Sequence, residues 1–277
     1  MKEIWYRFRK NKLALTGFLF IAAFALTALL ASLVSPYDPY ALGTQMLGAP
    51  SAKHWLGTDQ LGRDILSRIV YGTRISLHVG AVSVSIALAA GVVMGVLAGY
   101  FGGKTDAVIS RVVDVLFSIP DILLALAVMA VLGASTTNLM VAIGIVYTPI
   151  FARIARGAVL AMRDSLYIEA ARSIGVGHLA IMRRHVLPNI LGPVIVQVTL
   201  SFAFAILSEA SLSFLGLGAE PDMPSWGVML SEGKDWMESA WWIAVFPGIA
   251  ITLAVLSFNI LGDGLRDALD PRASQDA

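Results

Sequence analysis

Cysteine is absent from the 277 residues, which excludes disulfides and cysteine-ligated metal. Charge is scarce as well. Only 14% of residues are charged, where a soluble domain carries about a quarter. The net charge of +1 carries no signature of nucleic-acid binding. Catalytic signatures are missing too. His54, His78, His178 and His185 show no HExxH or other metal spacing, and no serine lies in GxSxG. The segment "AGYFGGKT" falls short of the phosphate loop GxxxxGK[ST]. Ala98 stands at the first glycine, and the segment ends an apolar run instead of following a strand. The chain therefore reads as a non-enzyme with no catalytic, metal or cofactor site of its own.

What is abundant is apolar surface: 57% of residues are hydrophobic and the mean hydropathy is +0.76. A bilayer core of ~30 Å needs about 20 apolar residues per helix. Six runs qualify, at 13–35, 76–101, 108–133, 139–160, 188–215 and 241–263. The predicted fold is all-α, a polytopic membrane protein with six transmembrane helices. The basic start "MKEIWYRFRKNK" looks like that of a signal peptide, and cleavage is one reading. The run that follows exceeds a signal core of about 7–15 residues, so a retained helix is the reading kept.

Lysine and arginine set the orientation. With the N-terminus inside, fifteen of the twenty fall on inner segments; Lys53, Arg63, Arg68, Arg74 and Lys234 fall outside. Both termini are predicted to be cytoplasmic, in a bacterial inner membrane. Residues 1–12, with aromatics among cations, suit an amphipathic helix lying on membrane lipid. Residues 36–75 form an outer segment opening with "SPYDPY", and from Asp64 they carry an amphipathic helix into the second span. Arg63 and Asp64 are placed to pair there, where an exposed pair contributes little. Residues 76–265 form a five-helix core and 266–277 a cytoplasmic tail. Gly91, Gly95 and Gly99 form two GxxxG steps for close helix approach.

Polar groups inside the spans are candidates for a substrate pathway or for hydrogen bonds between helices. They are Asp114, Asp121, Gln197, Glu209 and Asn259. Asp114 and Asp121, seven apart, share a face if their helix is uninterrupted, and Pro120 should kink it. Asp114 also lies near the inner boundary, where snorkelling to the interface explains it equally well.

Residues 163–186 interrupt the apolar pattern, and residues 167–189 read "YIEAARSIGVGHLAIMRRHVLPN". Ser165 is placed to cap a helix to about Ile174, with Glu169 complementing its dipole. Gly175 fits a left-handed helix end. A second short helix, His178 to Arg184, presents Leu179 and Met182 on one side, and Leu187 should end it because Pro188 follows. Ala170 and Ala171 allow close approach of a partner. By composition, docking into a groove of a soluble protein and lying on the membrane surface fit equally.

This stretch resembles the EAA loop of ABC importer permeases. Glu169, Ala170, Ala171, Gly175, Leu187 and Pro188 match it, and His185 stands where the broad pattern has isoleucine. "HVLPN", "WLGTDQLGRDILSRIVYGTRISL", "LSFLGLG", "PSWGVML" and "FNILGDGLRDALDPR" are similar to the peptide and nickel branch, in the same order. The chain resembles the second permease subunit of dipeptide, oligopeptide and nickel importers. The resemblance implies a type I importer permease fold and a heterodimer with a homologous permease. It also implies two cytoplasmic ATPases that bind ATP and magnesium, and an extracytoplasmic substrate-binding protein. Glu169 to Pro188 would couple to an ATPase, and the acidic outer loop with Trp226 would face the binding protein. Di- or oligopeptide is the expected cargo, with nickel or a nickel chelate second. A proton-driven carrier using Asp114, Asp121 or Glu209 and a non-transporting anchor are the competing classes; six spans with an unrepeated elbow disfavour the carrier.

Overall fold

The computed structural model describes residues 6, 8–218 and 222–269, so most of the expected N-terminal amphipathic helix, part of the acidic outer loop and residues 270–277 of the expected tail lie outside the described residues. Helix starts follow local capping. α1, Lys12–Leu29, begins where Asn11 Oδ1 accepts from the Ala14 N–H, and a single-turn α2, Ala31–Val34, ends at Ser35 before Pro36. α3, Ile65–Phe101, is capped by Asp64, whose carboxylate accepts from the Ser67 N–H. The expected amphipathic helix and second span are thus one unbroken helix of 37 residues, about 55 Å long at ~1.5 Å per residue.

The third span is broken. α4, Gly103–Phe117, and α5, Asp121–Leu132, meet at 95°. Pro120, with ψ of 135°, has no N–H for the helical ladder and holds the chain extended. Asp114 and Asp121 therefore do not share a face. α6, Thr136–Leu160, is capped by Ser135 and contains Pro149. α7, Leu166–Ser173, and α8, His178–Ile181, form the elbow. α8 does not stop at Leu187. A π turn, Met182–Val186, carries it into α9, Leu187–Phe214. Leu187 is helical and donates to Met182 O five residues back. The wider turn gives the Pro188 ring room where an α turn would press it against the carbonyl four residues earlier. α10, Trp226–Gly233, and α11, Trp242–Leu269, complete the chain. Among the described residues, five helices are long and apolar enough to span, one of them running from His178 to Phe214, and the bent α4–α5 pair taken as one span makes six.

Close contacts fix how the spans run. Gly91 lies against Thr148, Gly95 against Ala152 and Gly99 against Arg156, so α3 and α6 are parallel in four-residue steps. Gly80 and Ser76 of α3 meet Phe202 and Glu209, making α9 antiparallel to α3. Gly262 meets Thr199 and Phe258 stacks on Phe202, making α11 antiparallel to α9. α6 is the central and most buried of the long helices, whereas α1 is peripheral. A methyl group at Gly95 would overlap the Ala152 carbonyl oxygen, and backbone cannot step aside. Gly95→Leu is expected to destabilise the bundle by about 3 kcal/mol or more, read as a lower melting temperature and yield in detergent.

At the end opposite the elbow, residues 36–64 fold onto α10. Asp59, fully buried, accepts from Arg63 Nε at 2.6 Å and Arg68 Nη1 at 2.5 Å. Glu232 accepts from Arg63 Nη2 at 3.1 Å and Arg68 Nη1 at 2.7 Å. Burial alone would lower the Arg63 pKa; the Asp59 and Glu232 carboxylates outweigh it and raise the pKa above its ordinary value. The expected exposed Arg63–Asp64 pair is thus replaced by a buried four-residue knot. Asp64 instead accepts from Ser67 and meets His54 Nδ1 at 2.9 Å. Trp226 is also not on the surface. It is fully buried and donates from Nε1 to Ile69 O at 3.1 Å.

Candidate functional site

The elbow forms because its sequence splits its apolar residues between two directions. Ile168, Ala171, Ile181 and Val186 turn inward and pack with Val96 and Tyr100 of α3, Val159 of α6 and Ile190 of α9. Leu166, Ile174 and Leu179 turn away and are 83%, 81% and 76% exposed. The first limb, α7, begins with Ser165 in an extended conformation, but the Ser165 hydroxyl makes no capping bond. Glu169 and Ala170 are exposed; Ala171 is buried against its own bundle and so does not face outward.

The limb ends in paired helix-closing bonds. Val176 N–H donates to Ala171 O and Gly175 N–H to Arg172 O, both at 3.0 Å. This geometry requires a left-handed residue, and Gly175 has φ of +79°. A Cβ at Gly175 would meet nothing within 4 Å, so backbone conformation alone selects glycine. In the second limb Leu179 and Met182 do not share a surface: Leu179 stands out, while Met182 packs on the bundle. His185 is half-buried, with its ring 6.3 Å from that of Tyr167. Leu187 and Pro188 are exposed beside the π turn.

The intramembrane polar residues do not form one cluster. Glu209 is fully enclosed, accepting from Ser76 Oγ at 3.2 Å and Ser213 Oγ at 3.0 Å, and also from the Ser225 hydroxyl. Ser225 accepts from the Val228 N–H as the α10 cap, which leaves its own hydroxyl proton for Glu209. Glu209 thereby ties α3, α9 and α10 together. Gln197 is buried and donates to Ser201 Oγ at 2.9 Å. Asn259 is half-buried in α11. Asp114 is exposed and 3.4 Å from Arg153 Nη2. Asp121 opens α5 beside a small cleft shared with Tyr147 and Ser208, whose hydroxyls are 2.9 Å apart.

Two groups escaped the sequence reading. Leu166 and Ile174 were legible as apolar residues flanking the EAA run. The contacts of Tyr100 with the elbow carried no local signal, because 78 residues separate it from His178.

Among the described residues, long apolar helices and one bent pair form a bundle with an exposed apolar face on an elbow at one end, the layout of a multi-pass membrane protein. Residues 91–275 match the family described as binding-protein-dependent transport system inner membrane component. Residues 1–51 match the N-terminal transmembrane domain of oligopeptide transport permease C. The chain belongs to this family of inner-membrane permeases of ABC importers. It is 48% identical over 273 residues to the dipeptide transport system permease protein DppC of Alkalihalophilus pseudofirmus, covering 98% of this chain and 90% of that one. It is 46% identical to the glutathione transport system permease protein GsiD of Pectobacterium atrosepticum, covering 98% and 91%. Its fold is similar to that of the MetNI methionine ABC transporter in an inward-facing form. The TM-score is 0.61 at 19% identity, covering 74% of this chain and 98% of that one.

Proposed function

We propose that this chain forms half of the pore of an ATP-driven importer of di- or oligopeptides, and that its elbow is the coupling element. The observation that carries the reading is the division of the elbow into a buried face and an exposed apolar face of Leu166, Ile174 and Leu179. Exposed apolar side chains on a short helix pair fit a groove in a soluble partner. Among the described residues, twelve of seventeen lysines and arginines lie on the segments at this end of the spans, which supports a cytoplasmic elbow.

The partners are then a homologous permease, two ATPases that bind ATP and magnesium, and an extracytoplasmic binding protein. ATP acts by favouring one state of the ATPase pair, and the elbow passes that preference to the pore. Glu169, Ala170, Gly175, His185, Leu187 and Pro188 shape the coupling surface. Asp114, exposed beside a cleft between α3, α4 and α6, and Asp121, beside Tyr147 and Ser208, are the pathway candidates that the bundle does not enclose. Dipeptide, di/tripeptide and glutathione permeases among the relatives support a peptide cargo over nickel.

Ile174→Glu combined with Leu179→Glu tests the coupling face. The pair is expected to leave the chain inserted and to remove at least nine-tenths of co-purifying ATPase, about 1.4 kcal/mol of binding or more. Undiminished co-purification and uptake would refute the assignment.

A further inference from the structure

We propose that Tyr100 is the positioning residue through which displacement of the elbow reaches the membrane-spanning bundle. This rests on the elbow being the ATPase-contacting element. Tyr100 is in the last turn of α3 and is 5% exposed. Its hydroxyl lies 2.9 Å from His178 Nδ1, the first residue of the second limb. Its ring meets the His178 ring edge-on, with centroids 5.7 Å apart. Arg172, near the end of the first limb, places its guanidinium 5.0 Å from the same ring centroid. One side chain thus holds both limbs by directional contacts.

The corner between the limbs is held by its two closing hydrogen bonds and by Val176, which packs on the bundle, but a Cβ at Gly175 or Gly177 would meet nothing within 4 Å, so its glycines add no packing of their own. The apolar contacts of Ile168 and Ile181 beneath it lack direction and allow sliding. Hydrogen-bond and cation–π geometry at Tyr100 adds a directional tie between the two limbs and the end of α3.

Tyr100 also sits on the helix best suited to carry a push. α6, α9 and α11 contain Pro149, Pro193 and Pro247, and α4–α5 is bent. α3 has no internal proline and no break, and it runs from the elbow to the buried knot of Asp59, Arg63, Arg68 and Glu232. Arg163 Nη1 adds a contact to the Gly99 carbonyl at 3.4 Å, so the segment leading into the elbow also holds the end of α3. Displacement at Tyr100 is passed along this helix as a rigid body.

The test uses the complete assembly with its own ATPases, partner permease and binding protein, reconstituted in liposomes with labelled dialanine as the probe. Binding-protein-stimulated ATP hydrolysis and uptake are measured together. Tyr100→Phe is expected to leave assembly and basal hydrolysis unchanged, while uptake per ATP falls about fivefold from the loss of one hydrogen bond. Tyr100→Leu, which also removes the ring, is expected to fall further. His178→Gln, which keeps a hydrogen-bonding group, is expected to recover most of the ratio. A purely structural role would lower assembly and leave uptake per ATP untouched. Wild-type ratios in both Tyr100 variants would overturn the proposal. Failure of the elbow reading shows separately, as ATPase retained by the Ile174→Glu, Leu179→Glu chain with Tyr100 intact.

Discussion

Gly175→Val is expected to abolish ATP-driven uptake while the six spans still fold. The residue has φ of +79°, a region that a β-branched side chain all but never occupies. Holding valine there costs about 1–3 kcal/mol. The first limb has only eight residues, too few to absorb that cost by helix propensity. The chain gives way instead, losing the bonds from Gly175 to Arg172 and from Val176 to Ala171. Leu166 and Ile174 then no longer stand on the same side as Leu179. Gly175→Asn, which tolerates the left-handed region, is expected to retain most uptake. Because the site has open space around it, any defect reports conformation and not a clash. Uptake in liposomes and ATPase co-purification, measured for both variants, check this. Valine at wild-type level would refute the need for a left-handed corner.

Asp59→Ala is expected to have the largest effect on stability. It leaves Arg63 and Arg68, 3% and 1% exposed, with Glu232 as their remaining carboxylate in the knot. Removing one partner of a buried ion pair costs about 3–5 kcal/mol. The knot joins residues 59–68 to α10, and Trp242 Nε1 donates to Thr58 O alongside it. Its loss should free residues 36–64 from the bundle. The expected result is a melting temperature in detergent lowered by several degrees and proteolytic cleavage within residues 36–64. Glu232→Gln should cost less, since Glu232 is 18% exposed and water can replace part of its contacts.

The spans and the elbow were legible because each depends on local pattern. Apolar runs gave the helices, Pro120 gave the break, and Gly175 gave the corner. The break also shows where local pattern stops. Proline announces a disturbance, but the 95° angle that parts Asp114 from Asp121 depends on what packs around it. At Pro188 the same residue type ended nothing, because a π turn one residue wider absorbed it. The knot was hidden for another reason. Arg63 and Arg68 look like the polar side of an amphipathic helix, and only the return of residue 232 from 164 residues away makes them buried. Trp226 reads as a loop aromatic until α3, α9 and α11 close around it. Glu209 was legible as a protein-facing carboxylate, but its three serine partners come from three separate segments.

Lack of native cysteine makes the most direct measurement clean. Ile174→Cys places one thiol on the exposed face of the elbow, in a chain with no other. Sealed vesicles of known orientation are treated with a membrane-impermeant maleimide, with and without the assembled ATPases. The predicted result is labelling from the cytoplasmic side alone, lost when the ATPases are bound. Labelling from the opposite side, or labelling that the ATPases do not change, would contradict a cytoplasmic elbow seated in its motor.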